Sequence, residues 1–173
     1  MKRYSRCGMK AVICSLALLL VGAMSATASH AQIVALGASN GEGYGVSAGE
    51  AFPAVLEAML RAKGRNYSVN AQGVFGDTTS GVLGRLDSAV PEGTRTVILL
   101  IGGNDIRKGG TMQQAKAGYG EIASRLKARH IRVINAGPYY QAARKRGLTQ
   151  GDGIHLTAAG HRYLASELLP LVN

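Results

Sequence analysis

The run Ile33 to Leu36, apolar and rich in β-branching, passes without a spacer into Gly37, Ala38, Ser39, Asn40 and Gly41. Four apolar residues in succession fit a strand buried on both faces, the environment of a parallel sheet. A parallel sheet sends its chain out at the carboxyl ends of its strands, where loops carry functional groups on a rigid scaffold. Ser39 sits at such an end, flanked by residues with almost no side-chain bulk. A glycine-rich turn holding an ordinary serine has the same local sequence, so the rest of the chain has to decide between them.

Beyond this turn, helical and strand patterns alternate. Phe52, Val55, Leu56, Met59 and Leu60 recur at helical spacing, with Gly64 as a stop. Tyr67 to Ala71 reads as an edge strand, and Val82, Leu83 and Leu86 mark a short helix. Thr96 to Ile101, with V-I-L-L-I, is the most apolar run of the mature chain and predicts a central strand ending in G-G-N-D. Thr111 and Gln114 have the spacing of a capping box for a helix burying Met112, Ala115, Tyr119, Ile122 and Leu126. Ile131 to Ile134 predicts a second edge strand, a loop with Pro138, Tyr139 and Tyr140 follows, and Thr157 opens a last helix. The expectation is an α/β fold of three layers, flavodoxin-like, with about four parallel strands in the order 2-1-3-4 and helices on both faces. That order puts the switch point between strands 1 and 3, so the turns bearing Ser39 and Asn104 should flank one crevice.

The first 31 residues stand apart. Lys2, Arg3, Arg6 and Lys10 precede an apolar run from Ala11 to Met24, and small residues follow to Ala31, the layout of a cleavable secretory signal. Cleavage after Ala31, or alternatively after Ala28, predicts an exported chain, periplasmic or secreted, with residues 32–173 as one domain. Both cysteines, Cys7 and Cys14, lie in the signal, which excludes disulfides, thiolate metal sites and cysteine nucleophiles from the mature protein. Four of the 20 Lys and Arg residues and none of the 10 acidic ones lie there too, so the formal net charge falls from +10 to +6. The basic surface favours solubility and leaves room for weak association with anionic surfaces. Without interleaved aromatic residues, its basic clusters do not read as a nucleic-acid site.

Serine chemistry on an ester needs a base, a group that orients the base, and donors for the developing oxyanion. Of the histidines beyond the signal, His130 reads as a helix-end residue and His161 as part of the last helix. His155 lies in a glycine-rich turn with Asp152 three residues before it, a spacing that lets the carboxylate hold one imidazole tautomer. Asp77 and Asp105 read as a helix cap and a turn former, and Glu42 as a solvated loop carboxylate. The histidines show no metal-ligand spacing, and no cofactor is expected.

The ordered set G-A-S-N, G-V-F-G-D-T, G-G-N-D and D-G-I-H resembles the four blocks of the GDSL or SGNH hydrolase family, from Ile33 to His161. That resemblance implies a serine esterase or lipase with Ser39 as nucleophile, His155 as base and Asp152 orienting it. It implies an oxyanion hole from the Ser39 and Gly76 N–H groups and the Asn104 side chain. The implied substrates are small-molecule or lipid esters: short-chain or aryl esters, thioesters, lysophospholipids or acetylated sugars. Two departures stand out: Ala38 replaces the aspartate of the family's name, and the segment before Asp152 is short, implying a shallow acyl pocket or one built from Tyr139, Tyr140 and the loop after Asn104. Two other readings remain. One is an exported binding module that keeps the fold without catalysis. The other is a nicotinamide-cofactor domain, because Gly37, Gly41 and Gly43 resemble the cofactor turn of short-chain dehydrogenases, although V-N-A supplies no acid for a ribose hydroxyl.

Overall fold

A computed structural model describes residues 33–172, so the segment read as a secretory signal lies outside the described residues. Four strands, β1 (Ile33–Gly37), β2 (Val69–Gly73), β3 (Thr96–Leu100) and β4 (Arg132–Asn135), form one parallel sheet. The strand order is β2-β1-β3-β4, as the hydrophobic patterning predicts. Ile33 pairs with Val69 on one side and Thr96 on the other, so β1 and β3 are the central strands and their apolar runs are buried on both faces.

Alternate residues of the central strands feed two cores. Ile33, Ala35 and Ile98 pack with α2 (Phe52–Ala62), α7 (Gly137–Lys145) and α8 (Ala158–Leu168). Val34, Leu36, Val97 and Leu99 pack with α3 (Thr79–Gly84), α4 (Leu86–Ala89) and α6 (Met112–Ala128). Two short helices, α1 (Ser39–Glu42) and α5 (Gly103–Arg107), continue directly from the turns after β1 and β3. The turns after β1 and β3 therefore pass straight into helices at the carboxyl edge of the sheet.

The helix starts carry the signals read from the sequence. Thr111 and Gln114 form the expected reciprocal capping box, and the Thr157 hydroxyl accepts from the Gly160 N–H at the start of α8. Other expectations change. The second strand begins at Val69, and the carbonyl of Ser68 just before it accepts the Ile33 N–H. Met112 is 60% exposed at the first position of α6, whose buried positions are Ala115, Ile122 and Leu126. Pro138, Tyr139 and Tyr140 are helical in α7, where proline sits at the first turn and its fixed φ suits helix entry.

Two acids also do more than their own turns require. Thr78, not Asp77, caps α3 with its side chain, while Asp77 pairs with Arg85 at 2.9 Å. Asp105 reaches across to α3, accepting from the Thr79 N–H at 3.1 Å and from its hydroxyl at 2.5 Å.

His161 is fully buried in α8, where its Nδ1 accepts the Phe52 N–H at 3.2 Å and anchors the start of α2. Burial pushes its imidazole down from 6.5 to about 4. The unfolded chain binds that proton as pH falls through 6.5 and the folded chain does not, so stability declines between pH 6.5 and 4. The loss attributable to this group amounts to roughly 3 kcal/mol across the window, at about 1.4 kcal/mol per unit. Urea unfolding at pH 7 and pH 4.5 should show this loss in the wild type and a flatter profile in His161→Gln, whose side-chain oxygen can still accept from Phe52.

Candidate active site

At the end of β1 the chain turns sharply into α1, placing Ser39 at the first helical position with only 4% of its surface exposed. The turn packs so closely on β2 that a Cβ on Gly73 would overlap the backbone of Gly41 and Glu42. Ala38 occupies the cap position of α1 without a side-chain hydrogen bond, and its carbonyl accepts from Gly41 and Glu42. Backbone bonds and close packing thus hold the turn without a carboxylate at this position.

His155 Nε2 lies 2.9 Å from Ser39 Oγ, and His155 Nδ1 lies 2.5 Å from Asp152 Oδ2. With Nδ1–H donating to the carboxylate, Nε2 is left to accept the serine proton. The other Asp152 oxygen accepts the Ile154 N–H at 2.9 Å and the His155 N–H at 3.0 Å. Those two backbone donors, followed by the imidazole, hold the Asp152 carboxyl at about 2, below the usual carboxylate value. It stays charged throughout the pH range in which an imidazole exchanges its proton.

The remaining predicted residues stand on the neighbouring loops. Gly76 has φ +74°, a left-handed conformation that glycine adopts without strain. Asn104 is buried at the start of α5. Its Nδ2 donates to the Asp77 carbonyl at 2.7 Å, which ties it to the residue after Gly76, and its Oδ1 accepts from Arg107 at 2.6 Å. One amide N–H of Asn104 remains for another acceptor. His130, with φ +58° at the end of α6, belongs to none of this.

Several further residues hold the site through contacts that no sequence pattern announces. Asn40 spans the backbone on both sides of His155: its Nδ2 donates to Ile154 O at 3.3 Å and its Oδ1 accepts Leu156 N–H at 2.9 Å. The Tyr140 hydroxyl donates to the same Ile154 carbonyl at 2.8 Å. Tyr44 lays its ring against His155 with centroids 4.5 Å apart, and Phe75 packs on Tyr44 at 4.7 Å. These two rings cover one face of the imbedded imidazole while remaining 46% and 56% exposed themselves. Arg85 donates to Asp77, to the Gly37 carbonyl and to the Gln72 carbonyl, joining the ends of β1 and β2 to the Gly76 loop. Asn40, Tyr140 and Arg85 act through backbone partners far along the chain, and Tyr44 and Phe75 through ring packing, so these contacts arise only on folding.

A cavity of about 320 Å³ opens beside Ser39, lined by Asn104, Ile101, Ile106, Arg107, Tyr140 and Arg144 among others. Tyr140 and the segment after Asn104 therefore line this cavity, whereas Tyr139, also on α7, is absent from its lining and packs against the core.

Residues 35–150 match the GDSL-like Lipase/Acylhydrolase family. The chain belongs to that family. Its GDSL relatives include the esterase TesA of Pseudomonas aeruginosa, 24% identical over 94% of this chain and 97% of that protein. A crystal structure of TesA superposes with a TM-score of 0.70 at 23% identity, covering 82% of this chain and 97% of that one. The crystal structure of AlinE4, an SGNH-hydrolase family esterase, gives a TM-score of 0.58 at 29% identity, covering 81% and 93%. Membership makes the chain an ester-hydrolysing enzyme acting on small-molecule esters.

Removing the bridge across the His155 turn should affect rate more than binding. For Asn40→Ala we expect kcat on a short-chain p-nitrophenyl ester to fall about ten-fold with little change in KM, equivalent to about 1.4 kcal/mol. A pure KM effect would place Asn40 in substrate binding instead.

Proposed function

We propose that the protein hydrolyses carboxylic or thioesters through an acyl-enzyme on Ser39. The observation that carries this reading is the continuous relay from Asp152 through His155 to Ser39, with gaps of 2.5 and 2.9 Å. Ser39 Oγ attacks the carbonyl carbon as its proton passes to His155 Nε2. The resulting imidazolium faces the Asp152 carboxylate, whose charge is maintained by its backbone donors. The carbonyl oxygen, now negative, is held by the Ser39 and Gly76 N–H groups and the free amide N–H of Asn104. The tetrahedral species collapses, and His155 returns the proton to the departing alcohol or thiol. Water then repeats the attack on the acyl-enzyme with His155 as base, releasing the acid and restoring Ser39.

Support for the oxyanion hole comes from how its members are held. Asn104 is fixed at both ends of its amide, and Gly76 has the left-handed backbone that a side chain would disfavour. Such donors need no reorganisation when charge develops, which is where their catalytic value lies.

Ser39→Ala should abolish hydrolysis of p-nitrophenyl acetate and butyrate and remove covalent labelling by a fluorophosphonate. Asn104→Ala should keep labelling at a reduced rate and lose about 10²–10³ in kcat. Turnover at wild-type level in Ser39→Ala would overturn the assignment, and a wild type that neither turns over nor labels would make the chain a binding module on this fold.

The basic start and the apolar run of residues 11–24 support export by a cleaved signal. Amino-terminal sequencing of the full-length gene product from a periplasmic or secreted fraction should read from Gln32. Recovery of the intact chain from the cytosol alone would refute export.

A further inference from the structure

The cavity beside Ser39 has an uneven electrostatic character. Its floor is apolar, from Leu100, Ile101 and the partly exposed Ile106, but its walls carry two guanidinium groups, Arg107 and Arg144, and no carboxylate. Neither arginine has an acidic partner among the ion pairs of the described residues. Both are nevertheless held in place. Arg107 donates to Asn104 Oδ1 at 2.6 Å. Arg144 donates through Nε to the Gly153 carbonyl at 3.0 Å and through Nη1 to Gln141 at 3.3 Å. Two positioned guanidinium groups with no carboxylate in the lining offer charged donors to an anion that enters the cleft. Elsewhere on the surface the arginines of α2 and α6 do find partners, Arg61 with Glu57 and Arg125 with Glu121.

We propose that this cleft is an anion subsite, and that the preferred substrates are esters carrying a carboxylate or phosphate a few bonds from the scissile carbonyl. The proposal rests on the esterase reading of Ser39 and specifies its substrate class. The apolar floor takes the intervening methylene groups or ring, while the guanidinium groups take the charge. A second cavity of about 370 Å³ shares Ile101, Ile106 and Gln141 with the first and adds Lys116, so the cationic wall continues away from the serine. The arrangement separates two requirements. Asn104 and the relay act on the ester itself, and Arg144 selects what is attached to it.

The test compares matched pairs of substrates differing only in charge. One arm places the anion on the acyl side, 4-nitrophenyl hydrogen adipate against its methyl ester. The other places it on the alcohol side, 3-carboxyphenyl butyrate against its methyl ester. We expect the charged member to have at least five-fold higher kcat/KM in one arm, with the advantage shrinking in 0.5 M NaCl. In Arg144→Gln the charged-to-neutral ratio should fall towards one, and Arg144→Lys should recover part of it. Because each ratio is taken within one variant, a general loss of activity from loosening the Gly153 contact cancels. Arg107 is left in place because it also holds Asn104. A ratio of one or less in both wild-type arms overturns the subsite while leaving the esterase reading intact. A high ratio that survives Arg144→Gln also overturns it, since the preference would then lie elsewhere. No turnover of any of the four esters would overturn the esterase reading itself, and the subsite with it.

Discussion

Arg85 makes three bonds on which the active edge of the sheet depends. Its guanidinium donates to the Gly37 carbonyl at the end of β1, to the Gln72 carbonyl near the end of β2, and to Asp77 beyond Gly76. Without it, two main-chain carbonyls at the base of the site would lose a charged donor and Asp77 its counter-ion. Bonds to a charged group in a partly buried place are among the stronger ones available to a fold. They hold the Ser39 turn and the Gly76 loop as one piece before any substrate arrives.

The other loops are joined in the same manner, by side chains reaching the backbone of a neighbouring loop. Asp105 ties the Asn104 turn to α3, Asn104 itself donates to Asp77, and Asn40 holds the chain either side of His155. A serine hydrolase needs its nucleophile, base and oxyanion donors fixed relative to one another to within a fraction of an ångström. Ser39, Gly76, Asn104 and the Asp152–His155 pair, the residues proposed for those roles, come from four separate chain segments. The sheet fixes where each segment leaves, and the polar cross-links fix where each one goes next.

How much of this could be read beforehand follows from the range of the interactions involved. Strand order and the crevice between β1 and β3 follow from hydrophobic runs, which are local. Ser39, Gly76, Asn104, Asp152 and His155 stand out in the sequence because four short blocks occur in a recognisable order, and the structure brings Asp152, His155 and Ser39 into hydrogen-bond distance. The cross-links made by Asn40, Arg85 and Tyr140 were not legible, since their partners lie 114, 48 and 14 residues away and any polar residue offers the same donors. The helix at Gly137–Lys145 was missed for a different reason: Pro138 and the paired tyrosines resemble a loop until proline is placed at the first helical turn. Ala38 now has a physical context. The carbonyl of that residue, not its side chain, caps the turn, and close packing on Gly73 supplies the rest.

The central claim is that three loops present donors to one oxyanion while the relay delivers Ser39. A crystal structure of the protein inactivated by a small alkyl fluorophosphonate tests it directly. We expect phosphorus bonded to Ser39 Oγ and the phosphoryl oxygen within about 3 Å of the Ser39 and Gly76 amide nitrogens and Asn104 Nδ2, the geometry of an oxyanion hole. A phosphoryl oxygen turned to solvent, or an adduct on any other residue, would contradict the account.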